Sequence, residues 1–524
     1  MKKQFTFLLF ILFIANTTIF AQKNESRRPT FTFKPASNLD IPDTIKVFIK
    51  KGPVNLLKEG ERLKIVPNPD GSFNFSPSFD QPIYWMQIGF QFQKKRQRPK
   101  VLIYYAEPGD NLNIVYKKDT TTAIGPIPRM TLSFSGIGSA KYRVVESLEK
   151  VNLELKKELS ADLRGEFGKT NKSFVAKAES VNYAKSSEFS RYLESITRNI
   201  QISQQRRKDT LSKYQSHLTP KVFDFFKYEL ASPGYEPIFA STINYLFKVS
   251  KSNYFHKILT DFYFANKDYS VPEVNDSLFQ YAASYKTSKL AEIMFEGTFK
   301  SQGKGLLFRD QYETIKKIKN SDLRQNLLAH YIYQPWFQQN VTDKETQDSC
   351  IRDAIKYIQS PILQAPVKEQ LVFFKGAAVP DFSFTDVNGN KTTLADLKGK
   401  VWMIDFYFYG CKGCISFAER FKKEVYPQFS NNPDFKVLSV SVDAKREHWI
   451  AALNTNSYNE KEYLNLSAGS MAWRHPFLQH YNRTSFPFVL LVDRNGKLLE
   501  RMEDFSPAVI IDEINKALIL IKSK

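Results

Sequence analysis

Cysteine is scarce in this sequence, and long apolar runs are almost absent. The chain has three cysteines in 524 residues, Cys350, Cys411 and Cys414, which is too few to hold a protein of this size together. Beyond the first 21 residues, no segment approaches the 18 apolar residues typical of a membrane-spanning helix. Glycine-rich phosphate loops and nucleic-acid modules are also missing. These absences exclude a disulfide-stapled scaffold and argue against a nucleic-acid partner.

The first residues have the pattern of an export signal. Lys2 and Lys3 precede an apolar run over residues 5–15, and the small residue Ala21 offers a cleavage point. This pattern predicts a secretory signal peptide over residues 1–21 and an exported mature chain. Because the run is short for a membrane span, an uncleaved anchor is only the alternative.

Positive charge exceeds negative charge along the chain. The sequence has 75 Lys and Arg against 54 Asp and Glu, for a formal net charge of +21. Most of the excess precedes Ala377, in patches such as residues 94–96 and 206–208. Since these patches carry no phosphate-binding loop, we interpret them as solvated surface. Peripheral association with an anionic membrane surface is the alternative.

Composition and periodicity divide the chain into three parts. A content of 42% hydrophobic and 25% charged residues is that of a folded chain, not a disordered one. Residues 27–136 have short period-two runs between turn signals, which predict an all-β, antiparallel, sandwich-like domain. Residues 137–374 carry apolar residues at helical spacing and predict an α-helical middle region. Residues 376–524 alternate strands and helices and predict an α/β domain.

The third part has a strand that leads directly into a helix. The strand is an apolar run, and one face of the helix is apolar. A later Asn-Gly turn predicts a hairpin. The predicted elements are strands at 401–409 and 435–442, a helix from Cys411 to about Val425, a hairpin of 488–492 and 497–501, and a final helix that begins at Ser506-Pro507.

Cys411 and Cys414 lie where the first of these strands becomes a helix. Unpaired backbone N–H groups and the helix dipole stabilise an anion there, and a thiolate is such an anion. If Cys411 is the exposed member, we expect its pKa to fall from about 8.5 into the range of roughly 3.5 to 7.5, with Lys412 acting in the same direction. Cys411 is then the predicted nucleophile, and Cys414, on the apolar helix face, is the predicted resolving thiol.

Two further residues extend the predicted site. Asp405 lies six residues before Cys411 among apolar neighbours, so burial should raise its pKa and make it a proton acceptor for Cys414. Pro487 stands at the entry of a strand and is a candidate cis proline. Beside the cysteine pair, a cis proline would expose backbone groups for pairing with an extended substrate chain.

Residues 401–414, 435–443 and 485–497 resemble a thioredoxin-fold oxidoreductase of the TlpA/ResA-like branch. Residues 379–382 are similar to the lead-in of these proteins, and Pro108-Gly109-Asp110 is similar to a marker of the β-domain often placed ahead of them. The resemblance implies an exported thiol-disulfide oxidoreductase, in the periplasm or cell envelope of a bacterium, that acts as a reductase on disulfide-containing protein substrates. We expect it to require no cofactor. Because an oxidising compartment would otherwise leave the cysteine pair as a disulfide, we also predict a membrane electron donor.

The same resemblance assigns roles to four residues. It implies Cys411 as nucleophile, Cys414 as resolving cysteine, Asp405 as the buried acid and Pro487 as the cis proline. This chain departs from the family pattern at Gly410 and Gly413, which replace the usual Trp and Pro. The direction of electron flow therefore stays open.

Several alternatives compete with this interpretation. The cysteine pair is half of a zinc site that His448, His475 or His480 could complete. A peroxidase would have Thr or Ser where Phe408 stands. An envelope binding or scaffold protein with a redox-inactive thioredoxin-like domain is the non-enzymatic alternative. Cys350, in a helical pattern, is predicted to be a passive buried thiol.

Overall fold

The computed structural model describes most of the chain after residue 27. It covers residues 28–522 apart from 37–40, 51–59, 80, 92–102, 120–128, 168–186, 232–252, 266–276, 302–305, 334–343, 484 and 503–504. The predicted signal peptide and the basic patch at 94–96 lie outside the described residues. The chain divides into two compact units, of which the first ends at Pro366 and the second begins at Val367. None of the described helices is long and apolar enough to cross a membrane.

In the first part of unit 1, the described residues form two four-stranded sheets, with strand orders β4-β1-β7-β8 and β3-β2-β5-β6 for the strands bounded below. Phe33 and Tyr116 of the first sheet contact Phe90 of the second, with ring centroids 6.3 and 5.2 Å apart, so the sheets share an aromatic core. The strands are β1 (Thr30–Pro35), β2 (Thr44–Lys50), β3 (Glu61–Ile65), β4 (Phe73–Phe75), β5 (Tyr84–Gln91), β6 (Ile103–Ala106), β7 (Asn111–Asp119) and β8 (Arg129–Ile137).

The expectation of a wholly antiparallel arrangement was wrong at one pair. β1 lies parallel to β7, with Thr30 opposite Asn111 and Pro35 opposite Tyr116. Parallel neighbours need a long connection, which the chain from β2 to β6 supplies. No local sequence signal reports such a pairing.

After β8, the described residues of unit 1 are mainly helical, as predicted for the middle region. Part of the basic patch at 206–208 is used inside the unit. Arg206 pairs with Glu158 at 2.8 Å, and Arg207 Nε donates to Asn152 Oδ1 at 3.0 Å. The helices are α1 (Ser139–Phe167), α2 (Ser187–Ser212), α3 (Pro220–Phe226), α4 (Asn253–Ala265), α5 (Ala283–Lys300), α6 (Phe308–Lys316), α7 (Ser321–Tyr333), α8 (Lys344–Tyr357), which contains the buried Cys350, and α9 (Pro361–Lys368).

A buried carboxylate joins the second sheet to the helices of unit 1. Glu229, in the turn after α3, accepts hydrogen bonds from Tyr105 Oη at 2.6 Å, Ser284 N at 2.8 Å, Ser284 Oγ at 3.0 Å and Tyr285 N at 3.3 Å. Burial raises the pKa of Glu229 to about 7. Burial also lowers the pKa of Lys286 to about 7, while the charge of Glu229 acts in the opposite direction.

Unit 2 is a seven-stranded sheet of order β10-β9-β13-β12-β11-β14-β15, with helices packed on it. All seven residues of β11 are buried because both faces of this strand are covered. The strands are β9 (Ser383–Thr385), β10 (Lys391–Thr393), β11 (Val401–Tyr407), β12 (Phe435–Ser441), β13 (Leu464–Ser467), β14 (Phe488–Val492) and β15 (Leu498–Met502). The helices are α10 (Lys412–Arg420), α11 (Arg446–Asn454), α12 (Pro476–His480) and α13 (Pro507–Lys522).

The predicted elements of the α/β part are present, with ends that differ by a few residues. β12 and β13 continue the sheet in parallel from β11, whereas β14 is antiparallel to β11. The strands β9, β10 and β13 were not predicted from the sequence, because they have only three or four residues each. The short helices α11 and α12 were missed as well.

Candidate active site

The cysteine pair is positioned by a buried strand and a helix N-terminus. β11 fixes the chain as far as Tyr407, and a short turn follows. Gly410 in this turn has φ +87°, a conformation that favours glycine. Cys411 is then the N-cap residue of α10. The two sulfurs therefore lie where orphan backbone N–H groups face an incoming anion.

Cys411 and Cys414 are joined by a disulfide, with S–S 2.08 Å and Cα atoms 5.3 Å apart. The Sγ of Cys411 accepts a hydrogen bond from the backbone N of Cys414 at 3.1 Å. Cys411 is 6% exposed and Cys414 is fully buried. Cys411 is the more exposed of the two cysteines, as predicted. It is nevertheless buried, because it packs in a cluster with Tyr407, Trp449 and Tyr458.

Two residues from neighbouring segments hold the turn that carries Cys411. The carboxylate of Asp443 accepts from Tyr409 N at 2.9 Å, and Tyr458 Oη accepts from Gly410 N at 2.7 Å. The Tyr458 ring also stacks on Tyr407, with centroids 4.9 Å apart. Both residues were missed as site residues. Asp443 had a usable signal, since it follows the carboxyl end of a strand next to β11, whereas Tyr458 follows no recognisable motif.

Asp405 is buried on the cysteine side of the sheet. It lies two residues before Tyr407 on the same face of β11, and Tyr407 belongs to the cluster that contains both cysteines. Asp405 is 5% exposed, and its Oδ1 has no hydrogen-bond partner among the residues that the structure describes. Burial raises the pKa of this carboxyl to about 8.

Pro487 lies beside the same turn. The Phe486–Pro487 peptide bond is cis. The Phe486 carbonyl oxygen lies 3.9 Å from Cys411 Sγ, and a Cβ placed on Gly413 would lie 3.5 Å from Pro487 Cδ. The structure therefore brings Cys411, Cys414 and Pro487 together, with Asp405 behind them.

The histidines named for a zinc site have other contacts. His475 Nδ1 accepts from Phe477 N at 3.2 Å and caps α12. His448 Nδ1 lies 4.0 Å from Asp443 Oδ1 at the surface. Within the described ranges, no group of three or more His, Cys, Asp or Glu side chains is arranged to hold a metal ion.

Residues 399–498 match a family model described as thioredoxin-like. This region is thioredoxin-like, of the TlpA/ResA type. ResA thiol-disulfide oxidoreductase from Bacillus thuringiensis (strain Al Hakam) is 28% identical over 128 residues, which cover 24% of this chain and 68% of that protein. ResA from Geobacillus kaustophilus is 27% identical over 126 residues, which cover 24% and 66%. These relatives support a redox, thioredoxin-like function for the region.

Solved structures are also similar to the region. The thioredoxin domain of a thiol-disulfide oxidoreductase from Bacteroides vulgatus is 27% identical, with a TM-score of 0.24, and the match covers 27% of this chain and 96% of that one. A thiol:disulfide interchange protein, DsbE, from Chlorobium tepidum is 26% identical, with a TM-score of 0.24, and the match covers 28% and 99%.

Proposed function

We propose that this protein is an exported thiol-disulfide oxidoreductase that reduces disulfide bonds in protein substrates through Cys411 and Cys414. One observation carries the proposal: the Cys411 sulfur caps α10 and accepts the Cys414 backbone N–H, while Cys414 is buried behind it. In the reduced protein, the same N–H group and the helix dipole favour a thiolate on Cys411. Cys411 is therefore the nucleophile, and Cys414 is the resolving thiol.

The reaction proceeds in two exchanges. The Cys411 thiolate attacks one sulfur of the substrate disulfide, which forms a mixed disulfide and releases the other substrate sulfur as a thiolate. Cys414 then loses its proton and attacks Cys411 Sγ, which forms the Cys411–Cys414 disulfide and releases the second substrate thiolate. The two substrate thiolates take up protons. Two electrons have moved from the protein to the substrate.

Asp405 is the proposed proton acceptor for Cys414. Its pKa of about 8 lies near neutral pH, so the carboxyl can take a proton when Cys414 attacks and return one when the protein disulfide is reduced again. A carboxyl at its ordinary pKa would be ionised at neutral pH and would be a much weaker proton acceptor. The burial that raises the pKa of Asp405 therefore serves both directions of the exchange.

The proposal also includes an electron donor and a role for unit 1. An oxidising compartment would return the cysteine pair to a disulfide, so reduction of substrates requires a membrane electron donor. The upstream sheets and helices position the redox unit or select its partners. Peripheral attraction of unit 1 to an anionic membrane surface is the remaining interpretation of its basic charge.

The test is insulin reduction by the full mature chain with dithiothreitol as the electron source. We expect Cys411→Ser to abolish turnover. Cys350→Ser is the matched control, because this third cysteine is buried in unit 1, and its turnover should equal that of the wild type. Activity that survives in Cys411→Ser would contradict the proposal.

Trapping in cells identifies the substrates. In Cys414→Ser the mixed disulfide on Cys411 cannot be resolved, so substrate proteins should remain attached and be released by a reductant. A chain that reduces no disulfide and traps no protein would instead be a binding or scaffold protein.

A further inference from the structure

Several exposed apolar side chains in unit 2 lie in segments that follow the carboxyl ends of its parallel strands. Among the described residues of this unit, seven large apolar side chains are exposed. Four of them are Phe408, Tyr409, Met471 and Trp473, with 39 to 50% of their surface exposed. We call these four residues the apolar rim. Val509, with 39% exposed, lies on α13, outside this group.

The sheet topology places the apolar rim at one edge. Phe408 and Tyr409 follow the carboxyl end of β11. Residues 468–487 leave β13 at its carboxyl end, and β13 is parallel to β12 and β11. The same segment enters β14, whose first residue Phe488 pairs with Phe406 near the end of β11. Both ends of the segment with Met471 and Trp473 therefore lie at the edge that carries Cys411.

The loop between β13 and α12 is built to expose two large side chains. Ala472 is buried and has φ 51° and ψ −128°, a backbone region that residues with a side chain rarely adopt. Its neighbours Met471 and Trp473 are exposed. Strained backbone of this kind is concentrated at functional sites. The Trp473 carbonyl accepts from Gln479 Nε2 at 2.9 Å, which ties the loop to α12.

Charge at this edge differs from charge in the rest of the unit. Three segments meet at the edge: residues 408–413, 442–448 and 468–487. They contain five basic residues and two acidic ones, Asp443 and Glu447, whereas the remaining residues from Ala377 onward have 14 basic and 15 acidic residues. The carboxylate of Asp443 already accepts a hydrogen bond from the Tyr409 backbone N–H. The edge that carries the disulfide is therefore the positively charged part of unit 2.

We infer that the apolar rim is the specificity surface for the substrate, and that it binds a segment with an apolar side chain close to the reacting cysteine and with net negative charge. This inference rests on the proposed function and names the substrate class. The apolar side chain contacts Trp473 and Met471, and the acidic residues of the substrate face the basic edge.

Strand spacing sets where that apolar side chain falls. β11 and β13 are two strand spacings apart, on the order of 10 Å. An extended chain advances about 3.3 Å per residue. A substrate residue about three positions from the cysteine therefore reaches the loop with Met471 and Trp473.

The test uses peptides that carry one cysteine in a mixed disulfide with glutathione. The peptides have Leu or Ser at the third position from the cysteine, on an acidic or a basic background. With the full chain and dithiothreitol, we expect kcat/KM to be about ten-fold higher for Leu than for Ser, and higher on the acidic background. In Trp473→Ala combined with Met471→Ala, the Leu preference should fall to two-fold or less. Val509→Ala is the control and should keep the wild-type preference.

A small disulfide separates this inference from the proposed function. Bis(2-hydroxyethyl) disulfide is too small to reach from Cys411 to Trp473, so the double variant should reduce it at the wild-type rate. A loss of rate with this compound, or an unchanged Leu preference in the double variant, would overturn the inference alone. Failure of the wild type to reduce the compound would remove the proposed function, and this inference with it.

Discussion

Glu229 in unit 1 and Asp405 in unit 2 are both buried carboxyls, and burial raises the pKa of both, to about 7 and about 8. Their surroundings differ. Glu229 accepts four hydrogen bonds, from Tyr105, Ser284 and Tyr285. Asp405 has an oxygen with no partner in the described part of the chain. A raised pKa alone therefore does not distinguish a structural acid from a candidate reactive one. The two kinds of acid differ in whether their carboxyl oxygens have hydrogen-bond partners.

The largest expected effect is on the stability of unit 2. Asp405→Asn should raise its free energy of unfolding by on the order of 3 to 4 kcal/mol at pH 7, because the wild type has to protonate this carboxyl on folding. The measurement is urea unfolding of both proteins, followed by hydrogen exchange in peptides from unit 2.

The stability difference between Asp405→Asn and the wild type should depend on pH. The folded pKa of Asp405 lies above its unfolded value, so its contribution to stability is fully present below about pH 4 and is lost as the pH rises to about 8. The advantage of Asp405→Asn should therefore grow across this window and vanish at its acid end. A constant difference between the two proteins from pH 4.5 to 8 would show that Asp405 is not buried as a neutral acid.

Glu229→Gln should act in the opposite direction on unit 1. The amide has one acceptor oxygen, so its NH₂ group would face donors that Glu229 now satisfies. We expect a loss of about 2 to 3 kcal/mol in the free energy of unfolding, measured by hydrogen exchange in peptides from α3 and α5. If Glu229→Gln stabilised unit 1, the two carboxyls would be alike and the comparison would fail.

The cysteine site could be predicted from sequence because its signals are local. Cys411, Cys414 and Asp405 lie within ten residues, and Pro487 precedes an apolar strand. Asp443 and Tyr458 could not be assigned, because the contacts to Tyr409 and Gly410 join residues 34 and 48 positions apart. Such contacts depend on which strands become neighbours in the sheet, and periodicity does not report this.

The same limit applies to unit 1. Tyr105 and Glu229 are 124 positions apart, and only the docking of a helical turn against β6 brings them together. The parallel pairing of β1 with β7 was unpredictable for the same reason. Element type follows from local patterns of burial, whereas partnership between elements is a property of the assembled core.

Turnover should separate the two carboxyls as well. Asp405→Asn removes the proposed proton acceptor, and we expect the rate of insulin reduction at pH 7 to fall ten- to a hundred-fold. Glu229→Gln is the matched control, and its turnover should stay at the wild-type value under conditions where it is folded. Equal rates in Asp405→Asn and wild type would exclude Asp405 from the proton transfer while leaving the cysteine exchange intact.

The smallest effect compares two buried tyrosines. Tyr105 Oη donates to Glu229 at 2.6 Å, whereas the hydroxyl of Tyr463 has no hydrogen-bond partner among the described residues. Burial raises the pKa of Tyr463, and the charge of Asp405 contributes to this shift. Tyr105→Phe should therefore cost about 1 to 2 kcal/mol, because it removes a buried hydrogen bond and leaves Glu229 Oε1 with Ser284 Oγ as its remaining donor, while Tyr463→Phe should cost close to zero.

Thermal unfolding of the two phenylalanine variants measures this difference. Each substitution removes one hydroxyl and keeps the aromatic ring, so packing is nearly unchanged and the hydrogen bond is the main variable. Equal losses would mean that the Tyr463 hydroxyl is as well satisfied as that of Tyr105. The contrast between a satisfied hydroxyl in unit 1 and an unsatisfied one in unit 2 would then fail.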